Sequence, residues 1–414
     1  MATPQVKIGN MENAPDWYGT PLDKIHFEWS QEEELMLQRW CEKIAKNCEE
    51  EEMTPMERYH ATFEMKPKDR LHIEVKYNVP YGVRSLDSWA DAIKPGDCYK
   101  RPKLHIMAHL ATAARFKLDI INIYVIHYTE ECWGADGRMI DYGTPQMVGD
   151  PPIKTMEDIE SVAVPDPKLH SLYPGYLWAA KEIKRIMKKY GIADKLPVEL
   201  SFCGDPLGTV HLGMTGFGQG VVMMRKNQEL FKACMEKAAA FQIAFGKACK
   251  ECEPDGMYLC TYMGAFPPKV KDVDNTWITD IMAKVGREVK GHLGQDLPLW
   301  HTGGADGFDK WMPLYYEHGA MGTGSFDGMW FGDYLDHKEV FNYFRERDLY
   351  CAFSINDHAV LDADFATIEE LLKLRCDEAK KHPKHACAIG VLDYWTPQPV
   401  FEKTMEMAKK LSKF

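Results

Sequence analysis

Between residues 71 and 78 the chain alternates strictly, with Leu71, Ile73, Val75 and Tyr77 on one side and His72, Glu74, Lys76 and Asn78 on the other. A period of two predicts a β-strand with one apolar and one polar face. Strand-like runs recur near 119–128, 198–204, 257–264, 299–303, 322–327, 350–357 and 386–393. Between them, apolar spacings of three and four at 173–189, 230–252, 277–292 and 367–381 predict amphipathic helices. About eight such units predict a single (β/α)8 TIM-type barrel in preference to an open doubly wound sheet.

Residues 1–53 read as a partly helical N-terminal extension, with a helix over 31–48 and an acidic run at 49–52; residues 54–414 read as the barrel. Thr54-Pro55-Met56-Glu57 marks a helix start, with Thr at N-cap, Pro at N1 and Glu at N3. The stretch from 130 to about 172 is rich in Pro, Gly and Asp. Long excursions of this kind after a barrel strand cover or shape the site.

Where the apolar faces meet the helices, the polar faces turn inward. On this pattern Glu74, Lys76 and Glu199 lie inside the barrel, Glu199 alternating with Val198 and Leu200. Ionised groups there need partners and often carry function. The competing reading is a structural Glu74–Lys76 pair plugging the barrel.

The stretch 298–328 runs from Pro298-Leu299-Trp300 into His301-Thr302-Gly303-Gly304, through a helix-like segment at 309–318, to Gly322-Thr323-Gly324-Ser325-Phe326-Asp327-Gly328. His301 is expected at a strand end beside glycines, as a general acid or base, a metal ligand, or a core histidine bonded to a carbonyl. Asp327, Asp357 and Asp393 are expected at strand ends too, at least one of them as a helix cap. Trp133, Trp300, Tyr262, Trp330, Phe331 and Trp395 gather on the same rim, a lining suited to a flat organic substrate. The expected catalytic set is thus His301, Glu199 and Asp327, with Trp133, Tyr262, Trp330, Glu74 and Lys76 contacting substrate. Cys249 with Cys252, His105 with His109, and the run Gly213, Gly216, Gly218, Gly220 read as structural. They lack a second cysteine pair, the zincin glutamate and the Walker lysine respectively.

A formal net charge of -12 argues against nucleic acid or an anionic membrane as partner. No apolar run reaches membrane-spanning length, and twelve scattered cysteines without an export signal fit a reducing, cytoplasmic setting.

The segment Pro55-Met56-Glu57-Arg58-Tyr59-His60-Ala61-Thr62-Phe63-Glu64, followed by Lys68-Asp69-Arg70, resembles the opening of the uroporphyrinogen decarboxylase superfamily. Pro152-Ile153-Lys154-Thr155-Met156-Glu157-Asp158-Ile159, His301-Thr302-Gly303-Gly304 and Ser354-Ile355-Asn356-Asp357 agree with it, so the resemblance covers about residues 53–410. It implies a β/α barrel with its cleft at the strand C-terminal ends. The porphyrin decarboxylases of the superfamily open with an Arg-Gln-Ala-Gly-Arg-Tyr signature that grips carboxylates. Here the corresponding region is Glu74-Val75-Lys76-Tyr77-Asn78-Val79-Pro80, with a single Arg84 beyond. A porphyrin would find too few cationic partners.

The methyltransferase branch fits better, above all its aryl methyl ether demethylases. That resemblance implies transfer of a methyl group from a methoxylated aromatic, or a similar small donor, to the Co(I) corrinoid of a separate partner protein. No corrinoid-binding Asp-X-His-X-X-Gly loop is present in the chain. The zinc-dependent thiol methyltransferases of the branch use His-X-Cys and a distant Cys; Gly303 stands at the first cysteine position, and the later one is absent near Asp393, with Cys387 nearby. A zinc polarising the ether oxygen would instead need O and N ligands such as Glu199, His301 and Asp327. The alternatives are a decarboxylase of an aromatic or porphyrin-like acid, and a non-catalytic barrel binding a corrinoid or tetrapyrrole. Homodimerisation through the N-terminal segment or the barrel helices is compatible with the pattern.

Overall fold

The computed structural model describes residues 4–77, 79–86, 92–123, 130–142, 145–201, 204–260, 268–270, 273–302, 308–322, 324–332, 335–355, 357–392 and 394–414. Eight parallel strands form its centre: β1 (Ile73–Tyr77), β2 (Ile121–Ile123), β3 (Val198–Ser201), β4 (Gly256–Cys260), β5 (Leu299–Thr302), β6 (Gly328–Phe331), β7 (Tyr350–Ser354) and β8 (His385–Leu392). Their spatial order is β1-β8-β7-β6-β5-β4-β3-β2, each strand beside its neighbour in sequence. The result is a nearly closed barrel ringed by helices, because each crossover helix covers the apolar outer face of the strand it follows.

The seam between β1 and β2 is bridged by side chains. Asn122 Nδ2 donates to the Val75 carbonyl at 3.0 Å, and Ile73 N–H donates to Asp119 Oδ2 at 3.0 Å. Asp119 also joins a buried clasp at the N-terminal end of the strands: Arg70 donates to both of its oxygens at 2.6 and 2.7 Å, and Arg58 reaches Oδ1 at 3.3 Å. Arg58 in turn grips Asp69 through two bonds of 2.8 and 2.7 Å. Paired, hydrogen-bonded ions can close a barrel floor that isolated charges could not.

Arg58 belongs to the helix Pro55–Phe63, whose start is a reciprocal capping box between Thr54 and Glu57. This helix runs below the barrel and carries Tyr59 into its interior. The preceding helix, Gln31–Glu49, buries Leu37, Cys41, Ile44 and Cys48, and its Asn47 donates to the carbonyl of Ala114 at 2.9 Å. The extended segment before it pairs Met11–Glu12 with Asp136–Arg138, which pairs in turn with Gln146–Val148. The N-terminal segment is thereby laced to the long excursion after β2.

One strand differs from the expectation. The described residues of that run, Gly322 and 324–327, do not form the expected strand: Gly322 and Gly324 have φ of 108° and 80°, and the strand begins at Gly328. Glycines at positive φ turn the chain, and the β-formers Met329, Trp330 and Phe331 lie after Asp327. The helix expected over 309–318 is the shorter Met312–Glu317. Among the described residues no helix is long and apolar enough to cross a membrane, and the cysteines are free thiols.

Candidate active site

Among the described residues, Glu74, Lys76 and Glu199 are the only Asp, Glu, Lys or Arg side chains on the eight strands, and all three are buried. Strand alternation puts them on the inner face with Tyr258, Trp300, Trp330 and Tyr350, which form an aromatic cluster with Ala352, Ala386 and Ala388. The alanines of β7 and β8 leave the volume that the large rings of β4, β5 and β6 fill.

Glu199 sits at the centre. Tyr59 donates its phenol hydrogen to Glu199 Oε1 at 2.6 Å, and the Trp300 indole N–H donates to the same oxygen at 2.9 Å. Glu199 Oε2 is buried with no hydrogen-bond partner among the described residues. Burial pushes its carboxyl up to about 8, the neighbouring Glu74 charge adds to this, and Lys76, Tyr59 and Trp300 oppose it. At neutral pH Glu199 is therefore mostly a carboxylic acid. With Oε1 accepting two bonds, the proton resides on Oε2.

Glu74 goes the other way. Burial penalises its charge, but the His72 hydrogen bond, the His72 and Lys76 charges and Asn122 together hold it below the ordinary carboxylate range. Its Oε1 lies 3.2 Å from His72 Nε2 and accepts from the Tyr350 hydroxyl at 3.2 Å, and Oε2 accepts from Asn122 at 3.3 Å. Two carboxylates whose surroundings drive them apart make an acid and a fixed anion in one chamber.

Lys76 Nζ lies 3.6 Å from the Tyr258 ring centroid, 4.0 Å from that of Trp300 and 5.9 Å from that of Trp330. Tyr258 and Trp300 are themselves stacked, centroids 4.7 Å apart with an 11° interplanar angle. Burial lowers the lysine from its ordinary value, opposed by Glu74, Glu199 and Cys260. Cation–π contact supplies part of what water would have given the ammonium.

Gly256 makes the Tyr59–Glu199 contact sterically possible. A Cβ at that position would stand 2.0 Å from the Tyr59 hydroxyl oxygen and 3.0 Å from Glu199 Oε1. No side chain larger than hydrogen fits between the floor helix and β3.

Two expected site residues lie elsewhere. His301 is on the outer face of β5, its ring centroid 4.8 Å from that of Tyr315 and 4.9 Å from that of Phe326, with Nδ1 3.3 Å from the Thr302 carbonyl oxygen. Its neighbour Trp300 takes the inner face, and the period of two sends His301 outward. Burial lowers its imidazole to about 3, with the Thr302 carbonyl opposing, so it is a neutral core histidine. Asp327 precedes β6 and lies at the opposite end of the barrel from the mouth, accepting from Leu299 N–H at 2.7 Å and Lys290 at 2.6 Å. The displaced strand start explains that placement.

Glu199, His301 and Asp327 are consequently not a ligand set, because one faces inward, one outward and one the floor. Zinc does not fit these three residues. Trp133 is buried against Phe241 in the outer core, with ring centroids 6.3 Å apart, and Trp395 is exposed. Trp330 lines the interior as expected from its strand, while Phe331 packs outward on Phe344 and Phe353. Tyr262, Asn78, Cys203, Gly303 and Asp393 lie outside the described residues. Arg84 donates to the carbonyls of Tyr394 and Thr396, both at 2.8 Å.

Sequence reasoning did not select Tyr59, Tyr258, Tyr350, His72 or Asn122. The alternation Trp300, Thr302 was a readable signal for the inner face of β5. Nothing local marks Tyr59, which arrives from a helix outside the strand repeat.

No curated protein matches the chain in sequence. In structure it is similar to a methyltransferase from Methanosarcina mazei, with 16% identity over 87% of this chain and 99% of the other and a TM-score of 0.67. It is also aligned with a GH18 chitinase from Pseudoalteromonas aurantia, at 12% identity over 60% of this chain and 86% of that one, but the TM-score of 0.33 carries no weight. The first likeness is one of fold. The model of the family described as uroporphyrinogen decarboxylase (URO-D) matches residues 54–312, from the capped floor helix through β5, and the chain belongs to that family.

Proposed function

We propose that the protein is a methyltransferase that moves a methyl group from a small methoxylated aromatic to the corrinoid of a partner protein. The observation that carries this reading is Glu199, a buried carboxylic acid whose proton sits on an oxygen without a protein partner, inside an aromatic chamber. Breaking an aryl ether leaves an electron pair on a phenolate oxygen, and that oxygen must be protonated or polarised as the methyl group departs. Glu199 Oε2 supplies the proton. Tyr59 and Trp300 fix the carboxyl so that it is the donor, in aromatic surroundings that include Tyr258 and Trp330. The Co(I) corrinoid of the partner supplies the nucleophile, and the proton released to the phenolate is later recovered from solvent by Glu199.

The family resemblance and the methyltransferase named among its structural relatives support this assignment. The interior offers one lysine and, among the described strand residues, no arginine, which disfavours a porphyrin bearing many carboxylates. The test is to incubate the protein with 4-methoxybenzoate and a reduced corrinoid protein. Methylcobalamin absorbance growing with phenol formation is the expected result. Carbon dioxide release instead would make it a decarboxylase, and binding without either product would make it a carrier. We propose a cytoplasmic setting for this enzyme.

A further inference from the structure

Each cycle of the proposed reaction leaves Glu199 without its proton, and Glu199 is fully buried. Tyr258 and Trp300 lie one inner-face layer nearer the mouth, opposite Ser201 and each other, and both are buried. The floor side is different. A cavity of about 300 Å³ lies there, lined among others by Glu51, Glu52, Arg70, Lys409 and Lys413. Glu52 and Lys413 are exposed, so the cavity opens to solvent and has ample room for water.

Polar groups lead inward from it. Arg70 donates to both oxygens of Asp119, and Asp119 Oδ2 lies 4.0 Å from His72 Nδ1. That nitrogen is buried and makes no hydrogen bond among the described residues. The separation is one that a single bridging water spans. The other ring nitrogen, Nε2, is 3.2 Å from Glu74 Oε1. Glu74 Oε2 accepts from Asn122, the residue directly opposite Glu199 on the neighbouring strand. His72 therefore joins the floor clasp to the carboxyl beside Glu199. The Asp119 and Glu74 carboxylates face its two nitrogens, so a proton in transit meets favourable charge at both.

We infer that His72 is a proton shuttle through which Glu199 is recharged from the floor of the barrel. A proton from the cavity adds to Nδ1, the Nε2 proton passes to Glu74, and Glu74 hands it to the Glu199 carboxylate. The last step runs downhill, because Glu74 is held below the ordinary carboxylate range and Glu199 above it. Tautomer exchange restores the ring, so one proton enters at the floor for each one given to the phenolate. His72 acts through Glu74 and Glu199 and touches no substrate, which makes it a positioning residue. The inference rests on the proposed function for the use of the proton and not for its route.

The route can be followed in the full-length protein without any corrinoid protein. After a rapid drop in pH through about 8, the infrared carbonyl stretch of the Glu199 acid should grow in, and its absence in Glu199→Gln identifies it. His72→Gln keeps an N–H for Glu74 but cannot pass a proton on. The band should then appear on the order of 10²-fold more slowly, with its final amplitude and the circular dichroism unchanged. An unchanged rate in that variant overturns the shuttle. A second measurement needs no variant. Cys260, at the mouth end of β4, is the one thiol among the described residues that is not buried. A bulky maleimide placed on it should leave the rate as it was, because the proton enters at the opposite end; a slowed rate overturns the floor route. In methyl transfer, His72→Gln should keep a normal first turnover and slow the later ones. Slowed band growth in a protein that transfers no methyl group would keep the shuttle and remove the proposed reaction. Unslowed later turnovers and unslowed band growth would do the reverse.

Discussion

Tyr59 and Glu199 are separated by 140 positions in the chain and by 2.6 Å in the barrel, where the phenol of one donates to the carboxyl of the other. The contact ties the helix that closes the floor to the acid at the centre. It also decides which carboxyl oxygen keeps its proton. The expected consequences can each be measured.

Glu199→Gln preserves an acceptor for Tyr59 and Trp300 but has no proton to give. Methyl transfer should fall about 10²–10⁴-fold while the far-UV circular dichroism stays unchanged. In the wild type, turnover should decline as pH rises through about 8, because the carboxyl must be protonated to act. The groups facing it are Glu74, Lys76, Tyr59, Trp300 and Tyr350. Stability follows the same sign: the folded value lies above the unfolded one of 4.5, so the folded state binds the extra proton and is weakened as pH rises from about 4.5 to about 8. Glu199→Gln should remove that slope from the pH dependence of the melting temperature. A variant with wild-type turnover would exclude Glu199 as the acid.

Tyr59→Phe deletes one of two donors to Glu199 Oε1. Because that bond lowers the carboxyl's value, its loss should move the alkaline limb of the pH–rate profile upward. A merely structural tyrosine would change stability, by about 1–2 kcal/mol, and leave the limb where it was.

Gly256→Ala tests the same contact sterically. The added methyl would collide with the Tyr59 hydroxyl. Overpacking of this kind costs about 1–3 kcal/mol, and the double variant Tyr59→Phe, Gly256→Ala should recover part of it, as urea unfolding of the single and double variants would reveal.

His301→Ala should leave most turnover intact, since the ring faces Tyr315 and Phe326 outside the barrel. Its cost should appear in unfolding, at about 2–4 kcal/mol for a large buried ring. A loss of activity comparable with that of Glu199→Gln, at unchanged stability, would return His301 to the site.

Asp119→Asn should uncouple the floor. The two arginines would lose the charge that compensates them, at about 3–5 kcal/mol. The folded-state carboxyl is held below its ordinary range: burial opposes ionisation, but Arg70 and Arg58 outweigh it. Its contribution is therefore complete above an unfolded value of 3.8 and lost as pH falls below that. Acid unfolding of the variant should be correspondingly flatter, by fluorescence or circular dichroism.

Periodicity carried the architecture because it is local. The alternation of 71–77 and the helical spacings between strands are properties of neighbouring residues, and they made the barrel, its inner faces and Glu74, Lys76 and Glu199 legible in the chain itself. Thr54 and Glu57 announced their capping box for the same reason. What the pattern left open was phase and distance. A shift of one position separates Trp300, inside, from His301, outside, and a one-residue error in phase reverses every side chain. The glycines at 322 and 324 disguised a turn as a strand and moved Asp327 from the mouth to the floor. Only the folded chain could bring Tyr59 to Glu199 through the gap at Gly256 or set Lys76 against the Tyr258 and Trp300 rings, and only there does burial turn one carboxyl into an acid while the partners of the other hold it as an anion. Long-range contact and desolvation depend on every strand at once, and no window of sequence contains them.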